Sequence, residues 1–137
     1  MGQQRGFLPF VKYAVKSRNK FLLGRAMLVD SCINYQSDHT GNYTYFAGED
    51  VSEIAELPEG FVSHRIPAQH YAKFMTEPGP LPGVVIQAWM SIWNMTDDEL
   101  GGKRTYETDF ELYDIRAQDP ANAVVDIYIG LSPTNSY

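Results

Sequence analysis

Residues 77–93 have the sequence EPGPLPGVVIQAWMSIW, which divides into a chain break and a helix. Three prolines and two glycines between positions 78 and 83 disfavour any regular element. After them, apolar residues recur at helical spacing, at Val85, Trp89, Ile92 and Trp93. The pattern predicts a helix that ends near Met95.

Segments on both sides of this helix have the composition of strands. The predicted strands cover residues 26–35, 42–47, 61–66, 68–75, 106–115 and 124–131. A turn signal at residues 38–41, with the sequence DHTG, predicts that the first two form a hairpin. Strands before and after one amphipathic helix are typical of an α+β domain, with an antiparallel sheet and the helix across its back.

Composition excludes several classes of protein. A length of 137 residues fits one domain, and no apolar run approaches the roughly 18 residues of a membrane span. The single cysteine, Cys32, excludes an internal disulfide and a cysteine-rich zinc site, so a reducing cytoplasm is expected. His39, His64 and His70 lack the spacing of metal ligands. We therefore expect neither a metal nor a cofactor.

Charge is distributed unevenly along the chain. The net charge is -6, yet residues 1–29 hold six bases and no acid, while residues 30–137 hold 17 acids and five bases. The acidic body should repel nucleic acid and attract cations. In the leader, residues 1–25, Phe7, Phe10, Val11, Ala14 and Val15 have helical spacing. They predict a short helix docked on a domain at 26–137, with membrane-surface contact or targeting as the alternative.

Acids and tyrosines alternate in three of the predicted strands. The segments are Tyr43-x-Tyr45, Glu111-x-Tyr113 and Asp126-x-Tyr128. Residues i and i+2 of a strand point to the same face, so each segment presents a pair to one surface. A carboxylate framed by ring faces suits an organic cation. The alternative is a set of half-buried tyrosines beside solvated acids.

Several motifs, in order, resemble a known family. They are PEGF at 58–61, IPAxxYAxF at 66–74, QAWxxIW at 87–93, DFExYD at 109–114 and DIYI at 126–129. Together they resemble the GyrI-like effector-binding domains, which occur as sensor modules of transcription regulators and as stand-alone proteins. The resemblance covers roughly residues 26–131.

The resemblance implies a pseudo-twofold pair of βαββ units that flank a ligand groove. Members of the family bind bulky, often cationic, aromatic small molecules. The acid that matches Glu111 lies in the groove among tyrosines, and the residues that match Asp126 and Tyr128 lie near its mouth. By this resemblance the ligand-binding residues are Glu111, Asp126, Tyr113, Tyr128, Tyr43, Tyr45, Trp89 and Phe74. Trp89 is expected at the pocket floor, and Phe74 in either the groove or the core.

The chain departs from the family pattern in two ways. Only 25 residues precede Ala26, so the first βαββ unit looks truncated, with its opening strand lost and its helix left as the leader. A sheet edge left unpaired in this way favours a homodimer. No helix-turn-helix region precedes the domain, so a separate DNA-binding regulator or another protein is the expected macromolecular partner.

The resulting prediction is a stand-alone effector-binding domain that takes hydrophobic, cationic small molecules without performing chemistry. Two alternatives remain open. One is a hydrolase of strained electrophiles, with Glu111 or Asp126 as general base and a tyrosine as proton donor. The other is a protein-binding module, such as a gyrase inhibitor.

Overall fold

The architecture is that of a computed structural model, which describes residues 2–7, 12–17, 28–33, 41, 44–51, 61–66 and 68–132. Side chains are described from Arg65 onward. Within these residues there are eight strands: β1 (Gly2–Phe7), β2 (Lys12–Ser17), β3 (Leu28–Ile33), β4 (Thr44–Val51), β5 (Phe61–Ile66), β6 (His70–Met75), β7 (Thr108–Tyr113) and β8 (Asp126–Leu131). The helices are α1 (Gly83–Trp93), α2 (Asp97–Leu100) and a 3₁₀ turn at Ile115–Ala117.

All eight strands join in one antiparallel sheet, in the order β1-β6-β8-β7-β3-β4-β2-β5. The predicted hairpin is confirmed, because β3 pairs with β4. The α+β class with an antiparallel sheet is also confirmed, and the predicted strand at 61–66 matches β5 residue for residue.

The prediction of a helix in the leader is wrong. Residues 2–7 and 12–17 are strands: β1 pairs with β6, and β2 pairs with both β4 and β5. Pro9 interrupts the helical spacing, and the sheet supplies backbone partners for both segments. The opening strand of the first half is therefore present. The prediction of a homodimer stays untested. It was based on the loss of the opening strand, and that strand is present.

Helix α1 covers one face of the half of the sheet that contains β6, β8 and β7, which we call the second half. We call the covered face the α1 face. It begins directly after the proline-rich break, and the amide side chain of Asn94 ends it by donating to the Met90 carbonyl at 2.9 Å. Its apolar side packs on alternate residues of β6 and β8. The buried core there includes Phe74, Val85, Ala88, Ile92, Ile127 and Ile129.

The opposite face of the sheet carries a second, smaller core. Tyr71, Phe110 and Leu112 are buried there together with Ile66, and Tyr128 packs against them. This arrangement follows from strand alternation, since these residues of β6, β7 and β8 flank those that face α1. Among the described residues, no helix is both long and apolar enough to cross a membrane.

Candidate functional site

Glu111 lies at the centre of a small polar group on the α1 face. Strand β7 turns Asp109, Glu111 and Tyr113 to this face and buries Phe110 and Leu112 on the other. One carboxylate oxygen of Glu111 accepts a hydrogen bond from the Tyr113 hydroxyl at 2.8 Å. The other accepts one from the indole Nε1 of Trp89 at 2.7 Å. Two aromatic side chains therefore hold a partly buried carboxylate.

Trp89 reaches Glu111 from the edge of α1. Val85, Ala88 and Ile92 point into the core, and Trp89 lies about 100° around the helix from Ala88. Its ring is partly buried against the core and lies 6.2 Å, centre to centre, from the ring of Trp93. Trp93 itself is 45% exposed. The two tryptophans thus connect Glu111 with the outer surface of the helix.

The hydrogen bonds from Trp89 and Tyr113 stabilise a negative charge on Glu111. Both donors are neutral, so they do not cancel that charge. Hydrogen bonds to an ionised carboxylate are short and about twice as strong as neutral ones, and both distances here are below 2.9 Å. Aromatic ring faces beside such a charge offer apolar area and cation–π attraction. A carboxylate beside aromatic rings is the kind of environment that suits an organic cation.

Of the two groove tyrosines predicted before β5, Tyr43 and Tyr45, the structure describes only one. Tyr43 lies outside the described residues. Tyr45 occupies β4 opposite Cys32 of β3, and Cys32 is in turn opposite Asp109 of β7. Tyr45 therefore sits in the cross-strand row next to that of Glu111 on the same face. Their part in binding stays a prediction.

Asp126 lies on the opposite face of the sheet from Glu111. It pairs in register with Leu112, one residue along from Glu111, so alternation directs the two acids apart. Asp126 is only 3% exposed. Its Oδ2 lies 2.6 Å from Arg116 Nη2 and 3.7 Å from Lys73 Nζ. The sequence predicts both acids around one groove, but the structure does not bring them together.

Arg116 links Asp126 to a third acid, Asp114. Its guanidinium lies 2.8 Å from Asp114 and also donates to the Met75 sulfur at 3.4 Å. Hydrogen bonds from Arg116 lower the pKa of Asp114, and its acidic partners raise the pKa of Arg116. This cluster was not predicted, and the two-residue spacing of Asp114 and Arg116 is the signal that the sequence offers for it.

Tyr128 belongs to an aromatic group on the opposite face. Its ring stacks on Phe110 with a centroid distance of 4.4 Å and meets the Tyr71 ring edge-on at 6.0 Å. Burial raises the pKa of Tyr128, and the neighbouring Asp126 adds to the increase. Its predicted role as a groove wall stays a prediction.

Phe74 is fully buried in the core under α1. It lies on the α1 face with Ile127, its neighbour across β6 and β8. Of the two environments expected for it, the core is the one that the structure shows.

A buried ion pair fixes the start of β7. Arg104 Nη2 lies 2.7 Å from Asp109 Oδ2, and both side chains are almost fully buried. The other oxygen of Asp109 accepts the Gly130 N–H at 2.8 Å. The Arg104 guanidinium lies 4.3 Å from the ring centre of Tyr106, whose φ of 54° is left-handed. The role of Arg104 was not predicted from the sequence either.

No group of three or more His, Cys, Asp or Glu side chains suited to a metal occurs within the described part of the chain. The candidate site therefore consists of Glu111, Trp89 and Tyr113, with Tyr45 placed nearby by register alone.

Comparison with protein families identifies the class. A model described as "Integron-associated effector binding protein", named Cass2, matches residues 10–131. The protein is thus an effector-binding domain, and its resemblance to the GyrI-like domains is confirmed. The chain belongs to the Cass2 family.

Curated relatives include two proteins named as transcription regulators. YobU of Bacillus subtilis, described as a candidate regulator, is 34% identical over 98 residues. These cover 72% of this chain and 59% of YobU. The regulator BrlR of Pseudomonas aeruginosa is 37% identical over 91 residues, covering 65% of this chain and 33% of BrlR. The chain thus spans about a third to three fifths of the length of these relatives.

Two solved structures have the same fold. An integron cassette protein from the mobile metagenome of Vibrio cholerae has a TM-score of 0.66 and 22% identity, with 96% of each chain covered. A candidate transcription regulation protein from Staphylococcus aureus has a TM-score of 0.65 and 15% identity, with 97% of this chain and 99% of that chain covered. At these identities the likeness concerns the fold alone.

Proposed function

We propose that this domain binds bulky, hydrophobic small molecules that carry a positive charge, with Glu111 as the anionic centre. The single observation that carries the proposal is the pair of aromatic hydrogen bonds to the Glu111 carboxylate. Family membership supports binding of an effector. The proposed chemical class of effector follows from the carboxylate and the rings around it.

The physical argument concerns preorganisation. The indole and the phenol fix the carboxylate before a ligand arrives, so little ordering cost falls on the protein when it binds. Ring faces and one fixed charge impose few directional demands, which favours promiscuous binding. We expect micromolar affinity, about -8 kcal/mol.

The strand order supports the finer prediction of two related units. Strands β3-β4-β2 on one side of the sheet centre mirror β7-β8-β6 on the other. Each outer end is completed by the strand that precedes the other unit, β5 beside β2 and β1 beside β6. We infer a pseudo-twofold pair whose central groove lies where β3 meets β7, the strand that carries Glu111.

A matched ligand pair tests the proposal. One ligand carries a quaternary ammonium on an aromatic ring system, and the other is its uncharged isostere. We expect Glu111→Gln to weaken binding of the cation at least about tenfold and of the isostere less than about twofold. Glu107→Gln, at an exposed carboxylate in the turn before β7, is the control and should change neither.

Titration calorimetry or ligand fluorescence measures these affinities. Equal losses for both ligands in Glu111→Gln would refute the electrostatic role of Glu111. Thermal stabilisation by anionic or neutral aromatics but not by cations would refute the proposed class of ligand.

A hydrolase is the second candidate, and the contact between Glu111 and Tyr113 favours it. The carboxylate could accept a proton from an attacking water while a phenol protonates the oxygen released from an opened epoxide. The test is epoxide opening by the purified protein. Turnover lost in both Glu111→Gln and Tyr113→Phe would support this candidate, and no turnover in the unmodified protein would exclude epoxides as substrates.

The names of YobU and BrlR support a role in transcription regulation. We propose that this domain supplies effector binding in the cytoplasm and that any contact with DNA is made outside it, with a DNA-binding regulator as the proposed partner. The acidic body of the chain is consistent with this division, since it would repel phosphate.

A further inference from the structure

The outer side of α1 carries an exposed apolar stripe. Ile86, Met90 and Trp93 lie at i, i+4 and i+7, so they follow one another along the helix surface. Their exposed fractions are 52%, 53% and 45%. The stripe extends over two turns, about 10 Å. Helix α1 is therefore apolar on its outer side as well as on the side that packs against the sheet.

Charge is absent from this helix and negative beyond its end. The sequence of α1, GVVIQAWMSIW, contains no ionisable side chain. The carbonyl end of the helix carries partial negative charge. Asp97 and Asp98 follow Trp93 by four and five residues and are both exposed. The stripe thus lies on an uncharged helix, and the segment that follows this helix is acidic and exposed.

We propose that this stripe, formed by Ile86, Met90 and Trp93, docks a basic amphipathic helix of a partner protein. A row of side chains on one helix fits the groove between rows on another, which favours a helical partner. Lysines or arginines of that partner would meet Asp97 and Asp98. The proposal does not depend on which effector binds at Glu111.

Charge complementarity distinguishes this partner from a second copy of the chain. Residues 30–137, which include α1 and α2, hold 17 acids and five bases. Two copies of the whole chain, each with a net charge of -6, repel each other, whereas a basic segment is attracted and gains apolar burial at the stripe. Trp93 also contacts Trp89, so a helix docked on the stripe would adjoin the side chain that binds Glu111.

The probe is a labelled amphipathic peptide of about 18 residues, long enough to form a helix, with leucines on one face and lysines on the other. A twin with glutamate in place of lysine tests the charge. Fluorescence anisotropy measures binding to the full chain and to Ile86→Ser and Met90→Ser. The matched control is Ile115→Ser, which removes a 71% exposed isoleucine outside the stripe. Asp97→Asn with Asp98→Asn tests the acidic end, against Glu107→Gln.

We expect the lysine peptide to bind and each stripe variant to lose at least about tenfold in affinity, with Ile115→Ser unchanged. The glutamate twin should bind at least about tenfold more weakly, and the paired asparagine variant should lose severalfold at low salt. Equal losses in Ile86→Ser and Ile115→Ser would overturn the proposal. So would equal binding of the two peptides, or no binding of either.

Sedimentation velocity without peptide tests the competing occupant. The proposal expects the same sedimentation coefficient for the unmodified chain and Ile86→Ser. A dimer that Ile86→Ser dissociates would overturn the proposal and assign the stripe to a second copy of the chain.

Discussion

The Glu111 carboxylate depends on side chains from two elements. Tyr113 comes from the same strand, two residues along, and Trp89 comes from a helix 22 residues earlier in the chain. The phenol contact is local and was implied by alternation. The indole contact exists only because α1 packs with its edge over β7. The charge centre of the proposed site is thus fixed by tertiary structure.

The buried Arg104–Asp109 pair should be the most sensitive point among the residues near this site. Arg104→Met leaves the Asp109 carboxylate buried without its guanidinium partner. We expect a loss of about 3–5 kcal/mol in the free energy of unfolding. Urea denaturation followed by far-UV circular dichroism measures it.

The double variant Arg104→Met with Asp109→Asn is the control for this prediction. It removes both charges and keeps an oxygen for the Gly130 N–H, so it should recover part of the loss. A single Arg104→Met variant as stable as the unmodified chain would show that the pair contributes nothing.

Tyr71 should make the protein sensitive to alkaline pH. Burial is the main cause that raises the pKa of its phenol above the usual value of 10.0. The folded state then keeps a proton that the unfolded chain releases. The associated stability is fully present below pH 10 and is lost as the pH rises through the folded-state pKa.

We therefore expect unfolding free energy to fall above pH 10 by up to about 1.4 kcal/mol per pH unit from this group. Tyr71→Phe should start less stable or equal at pH 7 and show a shallower decline above pH 10. Urea midpoints measured from pH 7 to pH 11 give both profiles. Parallel profiles would exclude Tyr71 as the source.

Alternation predicted which neighbours share a face but could not relate one strand to another. It correctly grouped Glu111 with Tyr113, and Asp126 with Tyr128. Only the register, in which Leu112 faces Asp126, shows that the two pairs point to opposite sides. A register shifted by one residue would have placed both pairs on the same side of the sheet. No local pattern in the sequence specifies the register.

At the scale of elements, the helix and most strands were predictable because their signals are local. The proline-rich break and the apolar spacing after it defined α1 within two residues at each end. Helix α2 was missed although a signal was present. Thr96 and Glu99 form a capping box, in which Thr96 accepts the Glu99 N–H and Glu99 accepts the Thr96 N–H.

The leader shows where local signals fail. Its apolar residues have helical spacing, yet both of its described segments are strands. The partners of β1 lie in β6, nearly 70 residues away, so pairing with distant strands overrides a weak local preference. Sequence spacing within the leader contains no information about β6.

Proline substitutions in β1 test its pairing with β6. Gln4 and Arg5 are opposite Lys73 and Ala72, and successive N–H groups of a strand point to opposite sides. Only one of the two N–H groups can therefore point towards β6. We expect one of Gln4→Pro and Arg5→Pro to cost roughly 1–3 kcal/mol of unfolding free energy and the other clearly less.

Alanine at the same two positions keeps the backbone N–H and is the matched control. Both alanine variants should stay close to the unmodified chain in thermal unfolding. Proline variants that are equally harmless at both positions would contradict the pairing of β1 with β6.

At the scale of the whole molecule, the sheet joins the two halves through exchanged edge strands. Strand β1 completes the side formed by β6, β8 and β7, and β5 completes the side formed by β2, β4 and β3. The central pairing of β3 with β7 adds a third connection. Unfolding of the strands on one side would therefore remove backbone hydrogen-bond partners from the strands on the other side.

Unfolding should therefore be a single transition. Both tryptophans lie in α1, so their fluorescence reports on the second half, whereas far-UV circular dichroism reports on the whole sheet. We expect the two urea curves to coincide within error. A dichroism change that precedes the fluorescence change would show that the halves unfold separately.

The position of β1 also affects the order of events during synthesis. Gly2 is synthesised long before Met75, its neighbour across the sheet. The strand must wait, unpaired, until β6 has emerged. Pairing over such a distance carries a large loop-closure cost and slows folding. Strand β1 therefore stays without its neighbour in the sheet until translation has passed β6.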